Sequence, residues 1–112
     1  MIGVRYRTTD FETYRESDDA RIRWVTSTWL AALPTAGSRA AHDKELQRFL
    51  AWCTSQQVRA LATTPSQADE YLAATGGDRV APSTLERRRA RLRSFFRAAV
   101  GAGAARTNPF GG

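Results

Sequence analysis

Cysteine and histidine are nearly absent from this chain of 112 residues, and their scarcity excludes several kinds of site. Cys53 is the only cysteine, so the chain can form neither an internal disulfide nor a metal site built on several thiolates. His42 is the only histidine, which excludes sites that need two imidazoles, and no acidic cluster or phosphate-binding glycine loop takes their place. We therefore expect no metal ion and no nucleotide cofactor. We also expect no catalysis by this chain alone, because no nucleophile can be paired with a base.

Long apolar runs are missing as well. No run approaches the roughly 18 residues that a membrane span needs, and residues 1–10 lack the apolar region of a secretory signal. The length fits one domain with a modest core, in which Cys53 of the stretch FLAWC is predicted to be a small buried residue. We expect a single soluble domain located in the cytoplasm.

Positive charge is present in excess, and the whole excess lies near the C-terminus. The net charge is +6, from 17 basic and 11 acidic residues. Residues 1–81 contain ten of each sign, whereas residues 82–112 contain a single acid, Glu86. The seven basic residues of that last segment are Arg87, Arg88, Arg89, Arg91, Arg93, Arg97 and Arg106. The location of this excess positive charge, rather than the preference for arginine over lysine, is the informative feature.

Helical periodicity runs through every long segment, and strand-like alternation is confined to GVRYRT near the start. The sequence therefore predicts an all-α fold. Residues 1–17 are polar and are predicted to be an N-terminal extension, either frayed, extended or forming a short helix from the capping pair Thr9 and Glu12. Four helices are predicted at about 18–33, 38–56, 64–76 and 83–100.

Capping signals define the predicted helix starts. The proposed N-caps are Ser17, Ser38, Thr64 and Ser83. In the third helix, Thr64 and Gln67 have the spacing of a capping box, with Pro65 at the first helical position. In the fourth helix, Ser83 and Glu86 have the same spacing.

A helical projection separates the arginines of the fourth helix. With about 100 degrees per residue and Leu85 set at zero, Arg89, Leu92, Phe96 and Ala99 fall within about 40 degrees of Leu85, and Val100 within about 60. This stripe is predicted to be buried, so Arg89 must extend to solvent or find a partner, for which Glu86 is in reach. Arg87 and Arg91 share one exposed surface. Arg88 is placed at the boundary, able to reach that surface.

Two interpretations of this helix remain open. A charged helix is usually only a solvated face, but Glu86 is the single acid available to relieve the repulsion. Small and hydroxyl-bearing residues such as Ser83, Thr84 and Ser94 lie between the arginines and allow a polyanion to approach closely. Nucleic acid is the partner that uses both features best. A nuclear-localisation signal, a helix-turn-helix regulator and a helical domain that docks an acidic protein are the alternatives.

Five stretches, taken in order and spacing, give the chain a resemblance to a known family. They are TWLAAL, SRAAHDKELQRFLAWC, TPSQADEYLAA, PSTLERRRARLRSFFRAAV and RTNPF. Between about Ile22 and Phe110 the sequence resembles the N-terminal core-binding domain of tyrosine recombinases, the phage integrase family. The resemblance implies a SAM-like bundle of four helices in two crossed pairs, which clamps one face of duplex DNA while a separate catalytic domain grips the other. It also implies an origin in a bacterium, an archaeon or a phage, and association with the nucleoid.

The resemblance assigns the DNA-facing surface to the second and fourth helices. The implied DNA-binding residues are Ser38, Arg39, Lys44, Arg48, Ser83, Thr84, Arg87, Arg88 and Arg91. His42 stands where the family usually has an aromatic residue, and we interpret it as a residue at the edge of the core. The implied partners are double-stranded DNA and further protomers bound to it, with the protein a monomer in free solution.

The same resemblance implies that strand cleavage belongs elsewhere. The catalytic half of the family needs an arginine, a lysine, a His-x-x-Arg pair and a nucleophilic tyrosine, and this chain has no His-x-x-Arg. Tyr71 is predicted to point inward, and Tyr6 and Tyr14 lie in the polar extension. We expect residues 18–105 to be the DNA-binding domain and residues 106–112 to begin a linker to a catalytic domain, so that the chain is part of a longer recombinase.

Overall fold

The computed structural model describes residues 8–111, with side chains from residue 14 onward. Four α-helices form most of this part of the chain. The helices are α1 (Thr8–Ala31), α2 (Ala36–Gln56), α3 (Pro65–Thr75) and α4 (Pro82–Gly101). Short 3-10 turns at Ala60–Ala62 and Gly77–Arg79 lie in the connections before and after α3. No strand occurs in the described residues, which confirms the predicted four-helix, all-α class. Within the same part of the chain, no helix is long and apolar enough to cross a membrane.

Helix α1 begins well before the predicted start at Asp18. Ser17 lies inside the helix, so its prediction as an N-cap is wrong. The next residue, Asp18, is held inside the helix by a tertiary contact, because its buried carboxylate accepts two hydrogen bonds from Arg59, at 2.8 and 2.9 Å. The Arg59 guanidinium also lies 4.2 Å from the centre of the Tyr14 ring. These contacts hold the first half of α1 against the segment that follows α2; residues 1–7 lie outside the described part.

The start of α2 differs from the prediction by a few residues. Thr35 is the N-cap, and its hydroxyl accepts a hydrogen bond from the Ser38 backbone N–H at 3.0 Å. Ser38, predicted to be the cap, therefore lies in the first turn. Helix α3 begins as predicted, with Thr64 and Gln67 forming both hydrogen bonds of a capping box and Pro65 at the first position.

Helix α4 begins at Pro82, and Ala81 occupies the N-cap position without a side-chain hydrogen bond. The predicted capping box of Ser83 and Glu86 is wrong, because proline takes the first helical position and places Ser83 within the first turn. The C-terminal end, predicted near Val100, lies at Gly101.

The buried side of α4 is turned relative to the predicted stripe. Its buried residues are Arg88, Leu92, Phe95, Phe96 and Ala99. In the projection used above, this set is centred about 40 degrees from the predicted one, toward Arg88 and away from Arg89. Val100, predicted to be buried, is 39% exposed. As a result of this rotation, Arg88 is buried and Arg89 is partly exposed, the reverse of the prediction.

Aromatic side chains from three helices and from the C-terminal segment form the centre of the core. Phe49 of α2 lies edge-on to Tyr71 of α3 and Phe96 of α4, at ring separations of 5.2 and 5.9 Å. On the α1 side, Trp29 packs edge-on against Phe95 and donates a hydrogen bond from Nε1 to Ser94 Oγ at 3.0 Å. Helix α4 thus packs against both α1 and α2, which places it at the centre of the bundle.

The segment after α4 packs on this core. Phe110 is 1% exposed, and its ring lies 5.5 Å from Phe49 and 5.8 Å from Phe96. Asn108 donates a hydrogen bond from Nδ2 to the Arg93 carbonyl at 2.9 Å, and Arg93 Nε donates to the Phe110 carbonyl. The residues predicted to begin a linker are therefore attached to the domain as far as Phe110.

Candidate nucleic-acid interface

Five of the six arginines of α4 fall into three groups in the structure, and the sixth, Arg91, is described below with the cations of α2. Arg88 is buried at 5% exposure. Arg89 and Arg93 bind acids: Arg89 lies 3.2 Å from Asp69 and 3.9 Å from Glu86, and Arg93 lies 3.3 Å from Glu86. Arg87 and Arg97 are exposed and form no hydrogen bond or ion pair with any other residue that the structure describes. Arg89 was predicted either to extend to solvent or to pair with Glu86, and in the structure it is partly exposed and paired with both Asp69 and Glu86.

Arg88 is the member of the predicted site that the structure corrects. Its Nε donates to both carboxylate oxygens of Glu45, at 3.2 and 3.1 Å. Its terminal nitrogens donate to the Tyr71 hydroxyl and to the side chain and carbonyl of Thr75, at 2.9 to 3.2 Å. Because these bonds occupy a buried guanidinium, the expectation that Arg88 reaches the exposed surface is wrong.

Burial and the neighbouring negative charge have opposite effects on the pKa of Arg88. Burial works to lower the pKa of Arg88, but hydrogen bonds with Tyr71 and Glu45 and the negative charge of Glu45 outweigh it, so that the pKa is raised. Burial, followed by the charge of Glu45, raises the pKa of Tyr71 to about 12. Tyr71 therefore stays a neutral hydroxyl that donates to Glu45 Oε2 at 3.0 Å, and the prediction that it points inward is confirmed.

A second set of cations lies on α2, and one of them, Arg48, lies close to α4. Lys44 is exposed, and no other described residue forms an ion pair with it. Arg48, whose side chain is 39% exposed, lies 3.4 Å from Glu45 Oε1. From α4, Arg91 lies 4.0 Å from the same oxygen, with its side chain 27% exposed. The buried Glu45 carboxylate thus brings the cations of the two helices to one place.

The hydroxyl-bearing residues and Arg39 complete the predicted set. Ser83 is exposed and Thr84 half-buried in the first turn of α4, whose amides receive no side-chain cap. Ser38 is half-buried at the start of α2, with its hydroxyl 3.5 Å from His42 Nδ1. Arg39 donates a hydrogen bond to the Leu33 carbonyl at 2.9 Å, which ties it to the turn between α1 and α2.

His42 lies at the edge of the core, as predicted. Its ring is 5.5 Å from Trp29 in an edge-on arrangement, and its Nδ1 lies 2.8 Å from the Ser38 carbonyl. Among the residues with described side chains, no three His, Cys, Asp or Glu side chains come together in a way that could hold a metal ion.

Comparison with models of known protein families gave a match. The model described as "Phage integrase, N-terminal SAM-like domain" matches residues 28–103, which is more than half of the chain. The chain belongs to this family. Comparison with curated proteins and with solved structures gave no match. The matched span of the SAM-like domain contains α2, α3 and α4 complete, together with the last residues of α1.

Sequence reasoning missed Glu45, the buried carboxylate that Arg48, Arg88 and Arg91 face in this SAM-like domain. Glu45 is 2% exposed, although an isolated glutamate on a charged helix is normally solvated. A signal was present: Glu45 precedes Phe49 by four residues, so both lie on the same side of α2. The partners that make burial acceptable come from α3 and α4, and sequence spacing does not place them beside it.

Proposed function

We propose that this SAM-like domain is the core-binding domain of a site-specific tyrosine recombinase and clamps one face of duplex DNA at a recombination half-site. In this proposal, strand cleavage belongs to a catalytic domain that is not in this chain. The domain is a monomer in free solution, meets other protomers on DNA, and works in the cytoplasm at the nucleoid. The family supports the class of protein, and the charged face of α2 and α4 supports the partner.

The observation that carries the proposal is a set of accessible cations that the domain itself leaves largely unneutralised. Lys44 and Arg87 have no acidic partner among the described residues, and Arg48 and Arg91 share the single carboxylate of Glu45 with Arg88. Cationic side chains spread over two adjacent helices match a phosphate backbone, which carries regularly spaced negative charges. Phosphate contacts fix the position of a protein on DNA, and base contacts add sequence preference.

The structure narrows the set of residues that we propose to contact DNA. Arg88 is removed because it is buried, and Arg39 is a secondary member because its guanidinium is bound to Leu33. Ser38, Ser83 and Thr84 remain as neutral contacts, the last two at the uncapped start of α4, where backbone amides favour an anion. The main contacts in the proposal are Lys44, Arg48, Arg87 and Arg91.

The test is the salt dependence of binding to a short fluorescent duplex, followed by anisotropy. The logarithm of the association constant is expected to fall with the logarithm of salt concentration, with a slope of about −3.6 if each of the four main cations neutralises its own phosphate and about −2.7 if two of them share one. Arg87→Ala and Arg91→Ala are each expected to weaken binding about fivefold and to reduce the magnitude of the slope by about 1. Thermal unfolding of both variants should stay close to that of the wild type, because Arg87 is exposed and Arg91 has only a 4.0 Å contact with Glu45, which keeps its bonds to Arg88 and Tyr71.

Arg97→Ala is the matched control, since Arg97 is an exposed arginine of α4 about 80 degrees or more around the helix from Arg87 and Arg91. It is expected to change affinity by less than about twofold. Equal losses in all three variants would indicate a diffuse charge effect and contradict the proposed face. No binding to duplex at low salt would overturn the proposal and favour an acidic protein partner.

A further inference from the structure

One buried carboxylate receives the cationic side chains of two helices. Glu45 is 2% exposed, and its oxygens accept hydrogen bonds from the Tyr71 hydroxyl at 3.0 Å and from Arg88 Nε at 3.1 and 3.2 Å. On the solvent side, an Nη1 atom of Arg48 lies 3.4 Å, and that of Arg91 4.0 Å, from Oε1 of the same group. A single negative charge therefore faces three guanidiniums.

The three guanidiniums are not equivalent. Arg88 is buried, and Glu45, Tyr71 and Thr75 occupy its nitrogens. Arg48 and Arg91 are partly exposed, at 39% and 27% of their side chains, and each has five N–H donors, of which Glu45 faces only some. The charge of Glu45 balances one guanidinium, so the remaining positive charge is held at the surface by the outer two.

The geometry also limits the distance between these two cations. Because both Nη1 atoms lie within 4.0 Å of one oxygen atom, they are separated by no more than twice that distance. Charge-assisted hydrogen bonds of about 2.8 Å to two oxygens of one phosphate cover a comparable span. The separation of the two nitrogens is thus within the span that a single phosphodiester group can bridge.

We propose that Glu45 is a positioning residue, which holds Arg48 of α2 and Arg91 of α4 together as a clamp for one phosphodiester of the DNA backbone. This inference rests on the proposed DNA-binding function. Without the carboxylate, two like charges on adjacent helices repel each other, and long side chains move freely. With it, the side chains are ordered before DNA arrives, so that less conformational entropy is lost on binding.

The proposal predicts an effect opposite in sign to that of simple electrostatics. Removing a negative charge close to DNA strengthens binding if charge alone matters. If Glu45 positions the clamp, Glu45→Gln weakens binding although the net charge becomes more positive. We expect binding of a short fluorescent duplex to weaken about fivefold to tenfold and the salt slope to shrink in magnitude by about 1, the value of one lost phosphate contact.

Asp18→Asn is the matched control. Asp18 is also a buried carboxylate bound to an arginine, and its removal changes the net charge by the same amount. Its partner Arg59 follows α2. Asp18 and Arg59 line a cavity, together with Cys53 and Val58, to which none of the proposed clamp residues contributes. We expect Asp18→Asn to leave affinity unchanged or to raise it slightly, with an unchanged salt slope.

A second variant separates positioning from folding, because Glu45→Gln leaves Arg88 buried without a counter-charge and lowers stability. Glu45→Gln combined with Arg88→Met removes the buried pair together and keeps the wild-type net charge. This double variant is expected to fold, as judged by circular dichroism, and to show the same weaker binding and shallower slope. A merely structural role predicts that the double variant, once folded, binds like the wild type.

The outcomes distinguish this inference from the proposed function. If the wild type binds duplex and the folded double variant binds equally well or more tightly, Glu45 does not position the clamp and only this inference is overturned. If the wild type fails to bind duplex at low salt, the proposed function falls and the inference falls with it. Weaker binding by Glu45→Gln and by the double variant, with Asp18→Asn unaffected, supports both.

Discussion

Cys53 shows how burial alone determines the chemistry of a side chain. The thiol is 2% exposed, as predicted from its apolar surroundings, and burial raises its pKa to about 12, which the side chain of Thr63 opposes only in part. The thiolate is the reactive form of cysteine, and at pH 8 such a pKa leaves about one thiol in ten thousand ionised. Cys53 is therefore both inaccessible and unreactive in the folded protein.

We accordingly expect a disulfide reagent such as DTNB to leave the folded protein unmodified at pH 8 and to label it completely in guanidinium chloride. The measurement is the absorbance of the released thiolate over time. Ser55→Cys is the control, because position 55 is exposed on the same helix, and folded Ser55→Cys should release one thiolate per chain rather than two. Rapid labelling of the folded wild type would contradict the burial of Cys53.

Helix α4 shows which parts of an element are predictable from sequence and which are not. Its extent and its apolar residues follow from local periodicity, and Leu92, Phe96 and Ala99 are buried as predicted. The choice between Arg88 and Arg89 does not follow, because both lie near the edge of the apolar stripe. Glu45, which decides it, belongs to a helix far away in sequence. For the same reason, the four main cations of the proposed site were predictable from the sequence, whereas the Glu45 carboxylate between them was not.

Helix starts show the same distinction between local and non-local causes. The capping box of α3 was predictable because Thr64 and Gln67 are three residues apart and need no other partner. The prediction for α1 failed because the burial of Asp18 depends on Arg59, more than forty positions later. In α4 the cap position falls on Ala81, whose side chain cannot accept a hydrogen bond.

The uncapped start of α4 gives a direct prediction. Ala81 is exposed and has extended backbone angles (φ −64°, ψ 148°), which suit a capping serine. Ala81→Ser is expected to stabilise the domain by about 0.5 to 1 kcal/mol, because its hydroxyl can accept from the backbone N–H of Ser83 or Thr84. Thermal unfolding should show a rise in Tm, and Thr35→Ala, which removes the cap of α2, should show a fall of similar size. An unchanged or lower Tm for Ala81→Ser would contradict this account.

Across the molecule as a whole, the packed unit is larger than the segment that the family match covers. The match spans residues 28–103. Asp18, which precedes the matched segment, is bonded to Arg59, and Phe110, which follows it, packs on Phe49. Both attachments join residues outside the matched segment to the bundle. The predicted division into a domain of residues 18–105 and a linker from residue 106 stays a prediction, but Phe110 is buried against the core of this domain.

The contribution of the C-terminal segment can be measured with Phe110→Ala. Removal of a fully buried ring between Phe49 and Phe96 is expected to lower the free energy of unfolding by about 3 to 5 kcal/mol. Urea unfolding followed by circular dichroism and by tryptophan fluorescence should give one coincident transition with an unchanged m-value, because the segment and the helices unfold together. Val100→Ala is the control, since this apolar side chain is 39% exposed and its loss should cost less than about 0.5 kcal/mol. A Phe110→Ala protein as stable as the wild type would mean that the segment is not part of the cooperative unit, and the predicted boundary at residue 105 would then describe the folded domain better than the packing of Phe110 does.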